Sequence, residues 1–353
     1  EIANATIEYC NFTNNVANRS GGALSWDGLN GNVRHSTFTN NRATGSLLQY
    51  DMTLTYENVV KINGNTLPST LEANKLYVLN YTIGENQLKF ESWVRDENGN
   101  PYKIDETIVR ADDGISPVDW GIDQFFGGDG GTILWSGDVG FVYNCTFVDS
   151  NSARRGGGAY MTGSDNVSYD NCTFINCTSG TNGGGLDWLA GANNGRISNC
   201  VFDHTRAARS AGAIYYDGNG GRMENITITG TKSWGGSLQS TVPGLTYAGW
   251  DSSHWDTNTT GGDAGAIMIT GDNEYLYNVT FTNCTATGRG GAVFLQDNKN
   301  VTFDACVFEN NKAEGTANNT LNDDNDPTSG LNKFLTGNGG AIGFDYGARL
   351  GVI

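Results

Sequence analysis

Residues 142–148 read Val-Tyr-Asn-Cys-Thr-Phe-Val and residues 169–175 read Tyr-Asp-Asn-Cys-Thr-Phe-Ile, so Phe147 returns as Phe174 after 27 positions. Followed outward, the Cys-x-Phe step recurs at Cys10–Phe12, Cys200–Phe202 and Cys306–Phe308, with variants at Ser36–Phe38, Ile226–Ile228 and Val279–Phe281. Phe12 to Phe38 spans 26 residues, Phe174 to Phe202 spans 28, and Phe281 to Phe308 spans 27. An apolar residue stands five before each Phe position: Ile7, Val33, Val142, Tyr169, Ile197, Met223, Leu276 and Phe303. Downstream comes Gly, a small residue and an apolar-x-apolar step. It reads Gly22-Ala-Leu-Ser-Trp26, Gly131-Thr-Ile-Leu-Trp135, Gly158-Ala-Tyr-Met-Thr162 and Gly184-Gly-Leu-Asp-Trp188. It continues as Gly212-Ala-Ile-Tyr-Tyr216, Gly265-Ala-Ile-Met-Ile269, Gly291-Ala-Val-Phe-Leu295 and Gly340-Ala-Ile-Gly-Phe344.

Each step alternates with period 2, the mark of a strand with one buried face. The strands are too short for hairpins with their own neighbours. They bury their apolar faces if each coil stacks on the next and like strands pair in parallel. No segment keeps a 3.6-residue apolar period, and the 50 glycines disfavour helical repeats. The pattern therefore predicts an all-β chain, a right-handed parallel β-helix of eight coils with three strands each. Inward ladders of Cys and Phe, and of aliphatic residues and Trp, are expected. The position between the two inward residues of the Gly step should face outward: Ser25, Leu134, Met161, Asp187, Tyr215, Met268, Phe294 and Gly343. Large apolar residues there imply cover by an insertion or another molecule.

Three excesses of sequence break the period, each after a small residue (Ala43, Ser233, Ala313). The expected organisation is coils over 1–45, an inserted β-rich domain over 46–127, and coils over 128–353 with insertions near 231–262 and 315–338. Equivalent positions of stacked coils share one edge, so all three insertions should project from the same side. In the first, Leu76–Thr82, Leu88–Val94 and Tyr102–Ile104 read as strands and Asp96–Pro101 as a turn. The second carries Trp234, Tyr247, Trp250, His254 and Trp255, rings suited either to a partner or to packing the loop down. In the third, Asp323, Asp324 and Asp326 offer oxygen ligands for Ca²⁺ but lack EF-hand spacing, so a solvated acidic turn is the competing reading. The abrupt ends of the coil pattern are expected of a piece of a longer repeat protein, or of ends that stack between subunits.

The formal charge of −17 disfavours nucleic acid and anionic membrane surfaces as partners. No apolar run is long enough to span a bilayer, so any membrane attachment is expected from parts outside this sequence. The seven cysteines fall in two ladder slots (10, 145, 172, 200 and 306; 177 and 284), as small buried residues do, without a Cys-x-x-Cys pair. His35, His204 and His254 accompany no consistent nucleophile, and neither a Gly-x-Ser-x-Gly elbow nor a Gly-His-Gly motif occurs. No enzyme and no cofactor are expected, with polysaccharide cleavage as the catalytic alternative. Asn-x-Ser/Thr sequons abound, many inside the repeated Asn-Cys-Thr-Phe step; Asn80 and Asn258, in insertions, are the candidate glycan carriers. Asn15, Asn41 and Asn311 are expected to stack as amides.

Gly-Gly-Ala-Leu at 21–24, Gly-Gly-Ala-Val at 290–293 and Gly-Gly-Ala-Ile at 339–342, with Phe-x-x-Asn at 12–15, 38–41 and 308–311, resemble the repeats of chlamydial polymorphic outer-membrane proteins. The Asn-Cys-Thr-Phe steps and sequon density resemble still more the adhesin-like surface proteins of methanogenic archaea. The resemblance covers the coils and excludes the insertions, and Cys177 and Cys284 stand where Phe-x-x-Asn has Asn. It implies an extracellular, cell-surface adhesin that meets a surface glycan or protein of another cell, with no catalytic residues to carry over. A structural subunit of a filament or sheath is the alternative within the extracellular class.

Overall fold

The computed structural model describes residues 4–17, 19–44, 59–73, 75–84, 87–96, 98–110, 128–233, 262–314, 339–345 and 349–352. Every regular element among them is a strand. They divide into two compact units, the stacked coils and the segment 59–110.

In the coils the Phe strands pair in parallel and in register, Phe12 on Phe38, Phe38 on Phe147, Phe147 on Phe174 and Phe174 on Phe202. The rings stack face to face, with centroids 4.9 Å apart at Phe38–Phe147 and 4.6 Å at Phe147–Phe174. The strands five residues upstream pair alike, and both sets form one sheet of 15 strands. They merge because Arg222–Thr229 and Tyr275–Thr282 run through both positions without a break. The Gly strands make a second sheet of eight, from Leu24–Trp26 to Ile342–Phe344. Phe147, Phe174, Phe202, Ile133, Trp135 and Cys172 lie in one continuous buried cluster. Each such side chain stabilises the stack by roughly 1.5–3 kcal/mol. In the outermost coils Phe12 and Phe308 are only partly buried, since each has one neighbouring ring.

A fourth strand per coil was not expected. Five residues after each Phe position comes Ala17, Ala43, Ser152, Ser179, Ala207, Ser233, Ala286 or Ala313, each ending a two-residue strand of a third sheet of eight. What reads as a small turn residue is an inward ladder position at a tight corner. The next connection is tight too: a Cβ on Gly131 would collide with the carbonyl oxygen of Gly157 in the adjacent coil.

Two further rules tie residue type to position. The corner before each Phe strand is left-handed at Tyr9, His35, Asn144, Asn171, Asn199, Asn225, Asn278 and Ala305, with φ between 49° and 55°. Asn tolerates that conformation best among non-glycine residues. Its amides then bond coil to coil: Asn171 Nδ2 donates to Asn144 Oδ1 at 3.0 Å, and Asn278 Nδ2 to Asn225 Oδ1 at 2.9 Å. Of the amides expected to stack, Asn15 Nδ2 donates to Asn41 Oδ1 at 2.9 Å, whereas Asn311 accepts from the backbone N–H of Cys284. The second rule pairs an aromatic ring with a glycine. Trp26, Trp135, Trp188 and Tyr216 end their Gly strands against Gly31, Gly140, Gly195 and Gly221, where a Cβ would strike the ring. Coils with Met161, Ile269 or Leu295 in the ring position carry Val167, Glu274 or Val301 instead of that glycine.

In the second unit, Val59–Asn63 runs parallel to Leu76–Gly84, which pairs antiparallel with Gln87–Arg95, itself antiparallel to Pro101–Arg110. Leu71, Leu76, Tyr77, Val78, Leu79 and Val94 are its buried residues. The Asp96 turn is closed by its own carboxylate, whose Oδ1 accepts from the N–H groups of Asn98 (2.9 Å) and Asn100 (2.7 Å).

Candidate functional site

All three insertions leave the coils after the same sheet, following Arg42–Ala43, Lys232–Ser233 and Lys312–Ala313. The chain returns at Gly128 and Gly262, whose N–H groups bond to the carbonyls of Arg19 and Arg209 in the preceding coil. Each return carries an aspartate, and each aspartate is clamped by an arginine of the following coil. Asp129 accepts from Arg154 Nε at 2.7 Å, from its Nη2, and from the N–H of Arg155. Asp263 accepts from Arg289 Nε at 3.2 Å, Nη2 at 2.8 Å and the Arg289 N–H at 2.7 Å. A fork-to-fork pair of this kind fixes direction as well as charge. The Arg289 guanidinium also lies 4.2 Å from the centroid of the Phe294 ring, which brings the clamp onto the outer face of the Gly sheet.

That face is the outward column, with one correction. Register pairs Leu134 with Tyr160 and Trp135 with Met161, so Tyr160 is the outward residue and Met161 is buried inside. The column runs Ser25, Leu134, Tyr160, Asp187, Tyr215, Met268, Phe294 and Gly343. Tyr160, Met268 and Phe294 are buried; Phe294 and Met268 pack with Ala211 and Ala264 of the connections, which supply part of the expected cover.

Asp187 is the anomaly. It is 0 % exposed, and neither carboxyl oxygen has a hydrogen-bond partner. Its neighbours across the strands are Tyr160 and Tyr215. Burial pushes its carboxyl well above the ordinary range; the Arg155 charge works against that shift, and Asp129 and Asp217 add to it. Asp217 lies one coil further on, two residues beyond Tyr215. It accepts from Thr270 Oγ1 at 2.6 Å and is likewise pushed up, mainly by burial. Burial also raises the Tyr160 and Tyr215 hydroxyls to about 12, so both are neutral donors at physiological pH.

A second buried acid, Glu274, occupies the slot left where Ile269 replaces the ring. It is 1 % exposed and its oxygens meet no hydrogen-bond geometry. Burial pushes it up to about 8, with Asp272 adding and nearby backbone N–H groups offsetting only part.

Trp234, Tyr247, Trp250, His254, Trp255, Asn258, Asp323, Asp324 and Asp326 lie outside the described residues. Asn80 is described: it sits mid-strand on Leu76–Gly84, half-buried, with its Oδ1 buried and unbonded. Among the described residues no group of three or more His, Cys, Asp or Glu is placed to hold a metal. The sequons at Asn144, Asn171, Asn225 and Asn278 belong to the amide ladders, so corner geometry accounts for their Asn. Cys145, Cys172, Cys177, Cys200 and Cys284 are buried, and burial pushes the Cys172 thiol well up.

No curated protein and no solved structure matches the chain significantly. A family described as right handed beta helix region matches residues 130–334, more than half of the chain. With its parallel, in-register ladders and that match, the chain belongs to the right-handed β-helix family.

Proposed function

We propose that this chain is a non-catalytic, extracellular segment of a cell-surface adhesin, in which the coils are a rigid platform and the insertions meet a glycan or protein of another cell. One observation carries the reading: three separate departures from the repeat leave from equivalent positions of one sheet, after Ala43, Ser233 and Ala313. A solenoid that only fills space has no need to place its longest connections in line. A scaffold that presents binding loops does. The Asp–Arg clamps support the same reading, because they anchor two of the returns to the coil stack.

The test is deletion. Joining Thr44 to Gly128, or Trp234 to Gly262, restores connections of the length seen between Ala17 and Gly22. Beads coated with either variant are expected to lose attachment to target cells while far-ultraviolet dichroism of the coils persists. Undiminished attachment by a variant lacking both insertions would contradict the proposal.

A further inference from the structure

Beyond attachment through the insertions, the outer face of the Gly sheet carries a polar group that the fold does not use. At the equivalent position more distant coils place Leu134, Met268 and Phe294. An apolar residue therefore fits this column, yet its centre holds Asp187, buried and without a hydrogen-bond partner. Leaving such a group unsatisfied costs about 1–3 kcal/mol relative to an apolar residue. The nearby Arg155 and Arg154 charges offset part of that penalty, but no hydrogen bond within the chain repays it. A ligand that supplies the missing hydrogen bonds does.

The surroundings define the ligand. Tyr160 and Tyr215 flank Asp187 on the two adjacent strands. Tyr215, Asp217 and Thr270 are half-buried and are the most exposed members of the group. Asp217 is already oriented by the Thr270 hydroxyl. Metal binding is disfavoured, since among the described residues no three ligating side chains converge and Arg154 and Arg155 stand nearby. An anion meets Asp129, Asp187 and Asp217 on a chain of net charge −17. What remains is an uncharged, hydroxyl-rich molecule with a ring that tyrosine side chains can cover. Carboxyl oxygens accept from vicinal hydroxyls, and tyrosines offer both an apolar body and a polar tip.

We propose that Tyr160, Asp187, Tyr215, Asp217 and Thr270 form a binding subsite for one sugar ring of a neutral glycan on the outer face of the Gly sheet. Because Asp187 is buried, binding includes a side-chain rearrangement of Tyr215, its half-buried neighbour on the adjacent strand. Hydroxyls of the sugar then take the place of the hydrogen bonds that Asp187 lacks.

Titration calorimetry at pH 7 with mannotetraose, cellotetraose and chitotetraose tests this. At least one of the three is expected to bind, and Asp187→Leu and Tyr215→Ala are each expected to weaken it at least tenfold. Joining Trp234 to Gly262 is expected to leave that affinity unchanged, which separates this subsite from the aromatic insertion. Asp187→Ala, which removes both oxygens without adding bulk, replaces the leucine variant should the latter not fold, with the same expected loss. Absence of binding by all three sugars, or affinity unchanged in the Asp187 variants, overturns the proposal.

Discussion

Asp129 and Asp263 sit where the chain re-enters the coils, and each is gripped by an arginine fork and a backbone N–H. Asp187 and Glu274 are as deeply buried, and none of their carboxyl oxygens makes a hydrogen bond. The four acids show that burial alone says little about purpose. A buried carboxylate with a guanidinium and an N–H is a fastening, because removing the partner strands a charge in a poor solvent. A buried carboxyl without partners is held neutral instead, and its place in the sequence needs another explanation. For Glu274 the explanation is steric: it fills the slot vacated by the ring that Ile269 replaces. For Asp187 no such vacancy exists, since the column accommodates Leu134, Met268 and Phe294 in other coils.

The largest effect should come from breaking a fastening. Arg289→Ala removes both arms from Asp263 and uncovers the Phe294 ring. A loss of about 3 kcal/mol in urea unfolding at pH 7 is expected. A loss within error of zero would show that the clamp is no stronger than an exposed ion pair.

Glu274→Gln sharpens the other side of the contrast. In the unfolded chain the carboxyl ionises near its ordinary value of 4.5, and in the folded chain near 8. Between those values the unfolded state sheds the proton first, so stability falls as pH rises from 4.5 to 8 and levels off above. The glutamine variant should lose that slope and be the more stable form at pH 8, by roughly 4 kcal/mol, with little difference at pH 4. Parallel pH profiles for the two proteins would mean that Glu274 is solvated in the folded state.

Much of this was legible in the sequence. The Phe and Gly ladders announce themselves because each coil must present the same inward shapes to its neighbours, and aromatic stacking makes Phe147, Phe174 and Phe202 interchangeable but not replaceable by polar residues. The two-residue strands are not legible there, because Ala and Ser in a short connection look the same whether they turn or pair. The sequence leaves Tyr160 and Met161 ambiguous because Gly156, Gly157 and Gly158 permit two alignments of the following strand, and only pairing with Ile133–Trp135 selects one. Asp187 is the one acid in a mostly apolar column, but the sequence alone does not set it apart. That it is buried and unpartnered depends on packing between coils and connections, which no local pattern encodes. The Asp–Arg clamps were equally hidden, although Gly-Gly-Asp at 127–129 and 261–263, with Arg154 and Arg289 one coil later, is a recognisable signal once the register is known.

The most direct test of the contrast is the thermodynamic stability of Asp187→Leu at pH 7, measured by urea unfolding against the unaltered chain. An acid kept for a ligand and not for the fold predicts a variant more stable by about 1–3 kcal/mol. A variant destabilised by a similar amount would show that Asp187 fastens the coils as Asp129 and Asp263 do, and would contradict the account.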